Sequence, residues 1–307
     1  MFDYNKTYFR SSSLIKYFYK MRNNFLFLFT IALFVFVSCN KEENDSINGN
    51  LEPVQVQRAL VVETTGIWCS ACPYGAELLK KIDYDYGDQV LPIALHSGDA
   101  LSNATSQAME SNFPTNGVPN FYVGNTDAGQ SPNGVIEASI NSNPVAGVGH
   151  EWTKEGSSYN ITSRIKFYGS DNGEFYVGCY FIQDPIEACG SSLNQTAVAI
   201  NNQGCSFWDQ DAVTIGAYED PPGSQNWMWE YLISEGTTYT HDYVIAGHGG
   251  NNIWGDPLGI SSVSAGQEYN FNFSINEGFG WNQSGHILTV LWKKSGNSYE
   301  FINGYSK

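Results

Sequence analysis

Residues 59–73 read ALVVETTGIWCSACP and place two cysteines, two residues apart, soon after a short apolar run. The apolar residues 59–62 are typical of a buried strand. The segment AELLKKI, residues 76–82, repeats apolar residues at helical spacing and predicts a helix. Cys69 and Cys72 therefore lie where a strand passes into a helix. The positive end of that helix should lower the pKa of the first thiol.

Two cysteines at this spacing are suited to thiol–disulfide exchange. A partner sulfur bonded to Cys69 would lie within reach of Cys72, which could displace it. A zinc site is a weaker interpretation, because no second cysteine pair or histidine pair occurs at metal spacing. We therefore expect no metal and no cofactor. An inert structural disulfide remains an alternative interpretation of the same motif, because a fold does not decide a function.

The motif WCSACP after a strand resembles the active site of the thioredoxin fold. The resemblance implies that Glu63, six residues before Cys69, is a buried acid that assists proton transfer at Cys72. It also implies that Cys69 is the attacking thiolate and Cys72 the resolving thiol. An exposed carboxylate at the end of the strand is the alternative for Glu63, because residue periodicity cannot place this side chain.

The same resemblance extends to Val118 and Pro119 in the stretch GVPNFYV. It implies that Pro119 is a cis-proline opposite the cysteines and that Val118 and Trp68 contact the substrate. A trans proline in an ordinary turn is the alternative, since most X-Pro bonds are trans.

The predicted elements of residues 58–143 follow the order β-α-β-α-β-α. We expect a helix that begins at Asp99 and a last helix with Ser131 as its N-cap. Residues 124–130 (GNTDAGQ) are turn-like, so an edge strand is expected to be missing or short. The sequence thus predicts an α/β thioredoxin-like domain over residues 58–145.

Residues 146–307 contain short strand-like runs separated by turn-rich stretches, which predicts an all-β antiparallel sandwich domain. Alternation within residues 174–183 places Cys179 in the core. Cys189 and Cys205 flank a loop and are the preferred second disulfide in an oxidising compartment. The pairing stays open, because three cysteines allow three pairings.

The beginning of the chain has the pattern of a secretion signal. Residues 25–37 are apolar except for Thr30, follow a basic flank, and are too few to span a bilayer. They end close to Cys39, in a pattern that resembles a lipobox. We expect residues 1–39 to be a lipoprotein signal peptide with Cys39 lipidated, and residues 40–57 to be a flexible tether. An ordinary secretory signal with an incidental cysteine is the alternative.

Composition excludes several classes of protein. The 307 residues include 15% charged and 15% aromatic residues, with 31 glycines and 11 prolines, which argues against disorder and against a coiled coil. The formal net charge of −16 makes nucleic acid an improbable partner.

The lipobox, the tether, the cysteine motif and the β-rich second half together resemble the 28-kDa outer-membrane-protein-related (Omp) lipoproteins. The resemblance implies a lipid anchor in the outer membrane, facing the periplasm or the cell surface. The preferred hypothesis is a thiol–disulfide oxidoreductase with protein thiols or disulfides as partners. The alternative is a surface binding or adhesion lipoprotein, in which the first domain is a scaffold and the β domain binds the ligand.

Overall fold

A computed structural model describes residues 47–69, 71–188, 239–276 and 284–307, and residues 47–307 form one compact unit. The helices are α1 (Cys72–Tyr86), α2 (Ala104–Glu110) and α3 (Asn133–Ile140), with a 3₁₀ turn at Gly87–Gln89. The strands in the first half of the chain are β1 (Asn48–Asn50), β2 (Ala59–Thr65), β3 (Val90–His96), β4 (Asn120–Val123), β5 (Thr126–Gly129), β6 (Ala146–Glu155) and β7 (Ser158–Phe167). Those that follow are β8 (Asp171–Asn172), β9 (Glu174–Gln183), β10 (Ile186–Ala188), β11 (Tyr239–His241), β12 (Val244–His248), β13 (Asp256–Pro257), β14 (Ser262–Val263), β15 (Glu268–Asn276), β16 (Gly285–Ser295) and β17 (Ser298–Ser306).

A nine-stranded mixed sheet runs through the molecule in the order β17-β16-β9-β12-β3-β2-β4-β5, with β13 paired to β9. Strands β2 and β3 are parallel, and every residue of both is buried. Strand β12 pairs in parallel with β3 and antiparallel with β9. Strand β12 therefore joins the cysteine-bearing part of the sheet to the strands that follow residue 170.

The predicted fold class, an α/β thioredoxin-like domain followed by an all-β antiparallel sandwich, is wrong. The described chain is mostly β, and its central sheet combines strands from both halves instead of ending within residues 58–145. The local β-α alternation was correctly recognised, but it does not reveal that β3 has a second neighbour about 150 residues away. Pairing between distant strands depends on backbone hydrogen bonds that leave no local sequence pattern.

A second, four-stranded sheet (β1-β6-β7-β15) packs on the part of the large sheet formed by β9 and β16. Alternate residues of β7, among them Ile161, Ile165 and Phe167, point into this interface, where they meet Phe175 and Phe181 of β9. The strand-rich, sandwich-like character expected for the second half is thus confirmed in this coarse form. Cys179 is a free thiol buried in the same core, as predicted.

The helices cover both faces of the large sheet. The apolar side of α1, with Leu78, Leu79 and Ile82, packs on β2 and β3, and Ile136 of α3 joins the same cluster. Met109 of α2 belongs to the cluster on the other face. The buried strands β2 and β3 thereby hold the start of α1 in a fixed position.

Two local predictions differ from the structure. Helix α2 begins at Ala104, where Asn103 and Ser106 form a reciprocal capping box, and not at Asp99. Helix α3 has Pro132 as its N-cap in place of Ser131. In the stretch 124–130, where an edge strand was expected to be missing or short, the structure has the short strand β5, four residues long, paired antiparallel with β4.

The helices bear on whether the described part of the chain could cross a membrane. None of the helices there has the length and apolar character needed to cross a bilayer.

Candidate functional site

Cys69 and Cys72 form a disulfide at the beginning of α1. Cys69 lies in the turn between β2 and the helix, and Cys72 is the first helical residue. The side chain of Cys69 is 6% exposed and that of Cys72 is 1% exposed. Both cysteines are therefore buried, and Cys69 is the slightly more accessible residue of the pair.

The N-terminus of α1 has no side-chain cap, and Ala71 occupies the N-cap position. The first amides of the helix are consequently not bonded to a competing carboxylate or hydroxyl group. Such a terminus stabilises negative charge nearby. A thiolate released at Cys69 on opening of the disulfide would lie in this favourable field, which lowers a thiol pKa.

Val118 and Pro119 lie directly opposite the cysteines, joined by the expected cis peptide bond. The sulfur of Cys69 lies 3.6 Å from the carbonyl oxygen of Val118. Trp68 is 56% exposed beside them, and its indole Nε1 donates a hydrogen bond to the carbonyl oxygen of Ser97 at 2.8 Å. The backbone of Val118 therefore lies against the Cys69 sulfur, and the backbone of Ser97 holds the Trp68 ring beside it.

Asp99 connects the cysteine turn to the end of β3. Its carboxylate accepts hydrogen bonds from the amides of Ile67 and Leu101, each at 2.8 Å, and lies 2.8 Å from Nδ1 of His96. Burial alone would raise the pKa of Asp99, but the hydrogen bonds and charge of His96, together with the amides, hold it below its ordinary value. Asp99 is thus a positioning residue for the turn that carries Cys69.

Glu63 is buried, with 1% of its surface exposed, in the middle of the sheet beneath the first turns of α1. A Cβ atom added to Gly75 would collide with Oε1 of Glu63 and with Cβ of Pro119. Since Gly75 is one helical turn after Cys72, this glycine lets the carboxyl group lie directly against the helix that begins at Cys72.

The pKa of Glu63 is raised to about 8, chiefly by burial and further by the negative charge of Glu77. A hydrogen bond with Thr65 and the positive charge of Lys80 lower it, but by less. Oε1 of Glu63 has no hydrogen-bond partner. Lys80 forms ion pairs with Glu77 and Asp242, which raise the pKa of Lys80 despite its burial. Glu63 is therefore a neutral acid at pH 7, able to release a proton near that pH.

A cavity of about 650 Å³ opens beside the disulfide. Its volume lies within the range of ~300–1,000 Å³ typical of ligand pockets. Its described lining includes Trp68, Cys69, Leu95, Glu110, Phe113 and Val118. Cys72 does not line it, so a ligand in the cavity meets the sulfur of Cys69 first.

The structure thus brings Cys69, Cys72, Val118, Pro119 and Glu63 into one neighbourhood, with Trp68 at its rim. The predicted lipidation site and the preferred second disulfide lie outside the described residues; they are Cys39, Cys189 and Cys205.

Three residues of the site were not recognised from the sequence. Asp99 was assigned to a helix start, although the capping pattern of Asn103 and Ser106 marked the true start of α2. Gly75 had a detectable signal, namely a glycine directly before the apolar-periodic helical segment 76–82. Glu110 had none, because only the folded chain places α2 beside the cysteines.

Within the described ranges, no group of three or more His, Cys, Asp or Glu side chains is arranged to hold a metal ion. The chain matches no protein-family model and no curated protein. Its fold is similar to that of HBP35 of Porphyromonas gingivalis, with a TM-score of 0.54 at 14% identity, over 83% of this chain and 76% of that one. A protein of Agrobacterium tumefaciens gives a TM-score of 0.44 at 10% identity, over 82% of this chain and 95% of that one. At this identity the likeness to HBP35 concerns the fold alone.

Proposed function

We propose that this protein is a thiol–disulfide oxidoreductase whose redox-active pair is Cys69 and Cys72. The observation that carries the proposal is the asymmetry of the two sulfurs. Cys69 lines an open cavity at an uncapped helix N-terminus, whereas Cys72 is buried behind it, next to the helical turn that covers Glu63. Exchange requires one accessible sulfur and one protected sulfur that resolves the mixed disulfide.

The reaction couples the protein disulfide to two thiols of a partner protein. A partner thiolate attacks the sulfur of Cys69, the Cys69–Cys72 bond breaks, and Cys72 leaves with the electron pair. A second partner thiolate then attacks the mixed disulfide, and Cys69 leaves as a thiolate while the partner gains a disulfide. The protein pair gains two electrons and two protons, and the partner loses them. In the reverse direction, the reduced pair reduces a partner disulfide.

Glu63 and the proline loop have separate roles in this proposal. The neutral Glu63 carboxyl supplies a proton to the Cys72 thiolate when the pair opens and accepts one when the pair closes, because its pKa of about 8 lies close to that of a thiol. Val118, Pro119 and Trp68 hold the partner backbone against Cys69.

The same proposal places the protein at the outer membrane, anchored by lipid on Cys39 as in the 28-kDa outer-membrane-protein-related lipoproteins. Its support is the sequence pattern of residues 25–39, an apolar run that follows a basic flank and ends close to Cys39. Labelling with a radioactive fatty acid in the native bacterium tests the anchor, and the Cys39→Ala substitution should abolish the label.

Cysteine substitutions test the chemistry. Cys69→Ser should abolish the oxidation of a dithiol peptide. Reduced Cys72→Ser, mixed with the same peptide in its disulfide form, should accumulate a mixed disulfide on Cys69, visible by mass spectrometry, because the Cys69 thiolate attacks the peptide S–S bond and one peptide thiolate leaves. Cys179→Ser is the matched control and should keep full activity, since its thiol is buried far from the cavity. Equal activity of all three variants would overturn the proposal and favour the alternative, a surface binding protein in which Cys69–Cys72 is a structural disulfide.

A further inference from the structure

The cavity beside Cys69 has a single ionisable acid among its described lining residues, Glu110. Oε1 of Glu110 is shielded from solvent and accepts no hydrogen bond. None of the ion pairs of the described residues includes Glu110. Because one of its two oxygens is cut off from water and accepts no hydrogen bond, the carboxylate is incompletely solvated, and a cation that pairs with it in the cavity would reduce this cost.

The position of Glu110 at the end of its helix also favours a cation in the cavity. Glu110 is the last residue of α2, and the last turn of that helix contains no basic residue. The carbonyl end of a helix carries partial negative charge and favours cations, not carboxylates. A positive group bound at Glu110 would therefore neutralise both the side chain and the helix end.

Two aromatic rings complete the surroundings. Phe113 lines the same cavity, and the exposed indole of Trp68 is held at its rim by the hydrogen bond to Ser97. A guanidinium group can pair with a carboxylate and lie over an indole face at the same time. The net charge of −16 further attracts cationic peptides.

We infer that the cavity beside Cys69 selects protein partners with a basic side chain, arginine above all, next to the reacting cysteine, and that Glu110 is the residue that recognises it. This inference rests on the proposed exchange reaction and adds its substrate class. The basic side chain occupies the cavity between Glu110 and Trp68 while the neighbouring cysteine faces the sulfur of Cys69.

The test uses two short peptides whose cysteine, activated as a mixed disulfide with thionitrobenzoate, follows either arginine or its neutral isostere citrulline. The reduced Cys72→Ser protein is the reagent. The Cys69 thiolate attacks the peptide sulfur, the activated S–S bond breaks, and coloured thionitrobenzoate leaves with the electron pair. The ratio of the two second-order rate constants is measured at low salt. We expect the arginine peptide to react about fivefold to tenfold faster.

Substitutions in the Cys72→Ser protein test whether Glu110 causes the preference for arginine. Glu110→Gln should bring the ratio close to one, and Glu110→Lys should reverse it in favour of a peptide with glutamate at that position. Glu155→Gln removes one exposed carboxylate in the β6–β7 hairpin, outside the cavity, and should leave the ratio unchanged. Circular dichroism checks that each variant is folded.

The outcomes separate the two proposals. If both peptides react at equal rates with the unsubstituted cavity, or if the preference persists in Glu110→Gln, the inference is wrong while the exchange function stands. If neither peptide forms a mixed disulfide with Cys69, the exchange function itself fails and the inference fails with it.

Discussion

Substituting Glu63 by glutamine should make the protein more stable at neutral pH, and by an amount that depends on pH. The pKa of this buried carboxyl is raised from 4.5 to about 8. Below about pH 4.5 it is protonated in the folded and the unfolded chain alike, so its ionisation does not affect stability. As the pH rises towards 8, the unfolded chain releases the proton while the folded chain keeps it, and the wild-type protein loses about 1.4 kcal/mol per pH unit.

Between pH 4.5 and pH 7, a span of about 2.5 pH units, the wild-type protein loses about 3 kcal/mol of unfolding free energy. Glu63→Gln does not lose this stability, because glutamine does not ionise. Any unmatched hydrogen bond of the new amide acts equally at both pH values. The change between the two pH values is therefore the quantity that reports the ionisation of Glu63.

Urea denaturation of the oxidised protein, followed by fluorescence between pH 4.5 and pH 8, measures this change. Glu155→Gln is the matched control, because this exposed carboxylate should show almost no difference between the two pH values. If the stability difference between Glu63→Gln and the wild-type protein were constant over this range, Glu63 would titrate normally and could not be the proton donor to Cys72.

Two further substitutions test the surroundings of the disulfide, and a third tests the core between the two sheets. Gly75→Ala should lower the free energy of unfolding, measured by urea denaturation, by about 1–3 kcal/mol, because the new Cβ collides with the Glu63 carboxyl. An unchanged free energy of unfolding would mean that α1 shifts away from Glu63 at no energetic cost. Asp99→Asn should lower the free energy of unfolding by about 1.5–3 kcal/mol at pH 7, because the charged acceptor of the Ile67 amide is lost. The loss should be smaller at acidic pH, where the wild-type carboxylate is also neutralised. An equal loss at low pH would show that the charge of Asp99 does not strengthen its bond with the Ile67 amide. Cys179→Ala should not change the number of thiols that a reagent labels in the folded protein, because Cys179 is buried and its pKa is raised to about 12; a loss of one labelled thiol would contradict its burial.

Local patterns were sufficient wherever contacts between near neighbours decide the structure. The apolar spacing of AELLKKI predicted α1, and the alternation in residues 174–183 predicted β9 and the burial of Cys179. The turn-forming residues 294–297 (KSGN) likewise lie in the β16–β17 hairpin, where Ser295 pairs with Ser298. In each case the signal and the structure lie within a few residues of one another.

Assignments failed where a local pattern had two interpretations. Asp99 is a strong helix-capping residue type, yet its carboxylate binds the cysteine turn and His96, and Asn103 caps α2 instead. The turn residues of 124–130 left open whether an edge strand is missing or short, because β5 is exposed or half-buried and shows no apolar alternation. Residue type alone could not distinguish these roles, since the same side chain satisfies either set of amides.

The sequence by itself placed two cysteines at the start of a helix, because this depends on residue type and short spacing. The buried acid before them and the cis-proline loop after them were implied only by the resemblance of the cysteine motif to the thioredoxin active site. Only the tertiary structure decided the fold and the character of the cavity. The pairing of β3 with β12 joins residues about 150 positions apart, and it turns a presumed separate domain into part of one large sheet. The same long-range packing brings α2, and with it the unpaired carboxylate of Glu110, beside Cys69. Contacts of this kind arise from backbone pairing and burial between distant segments, which no local sequence period encodes.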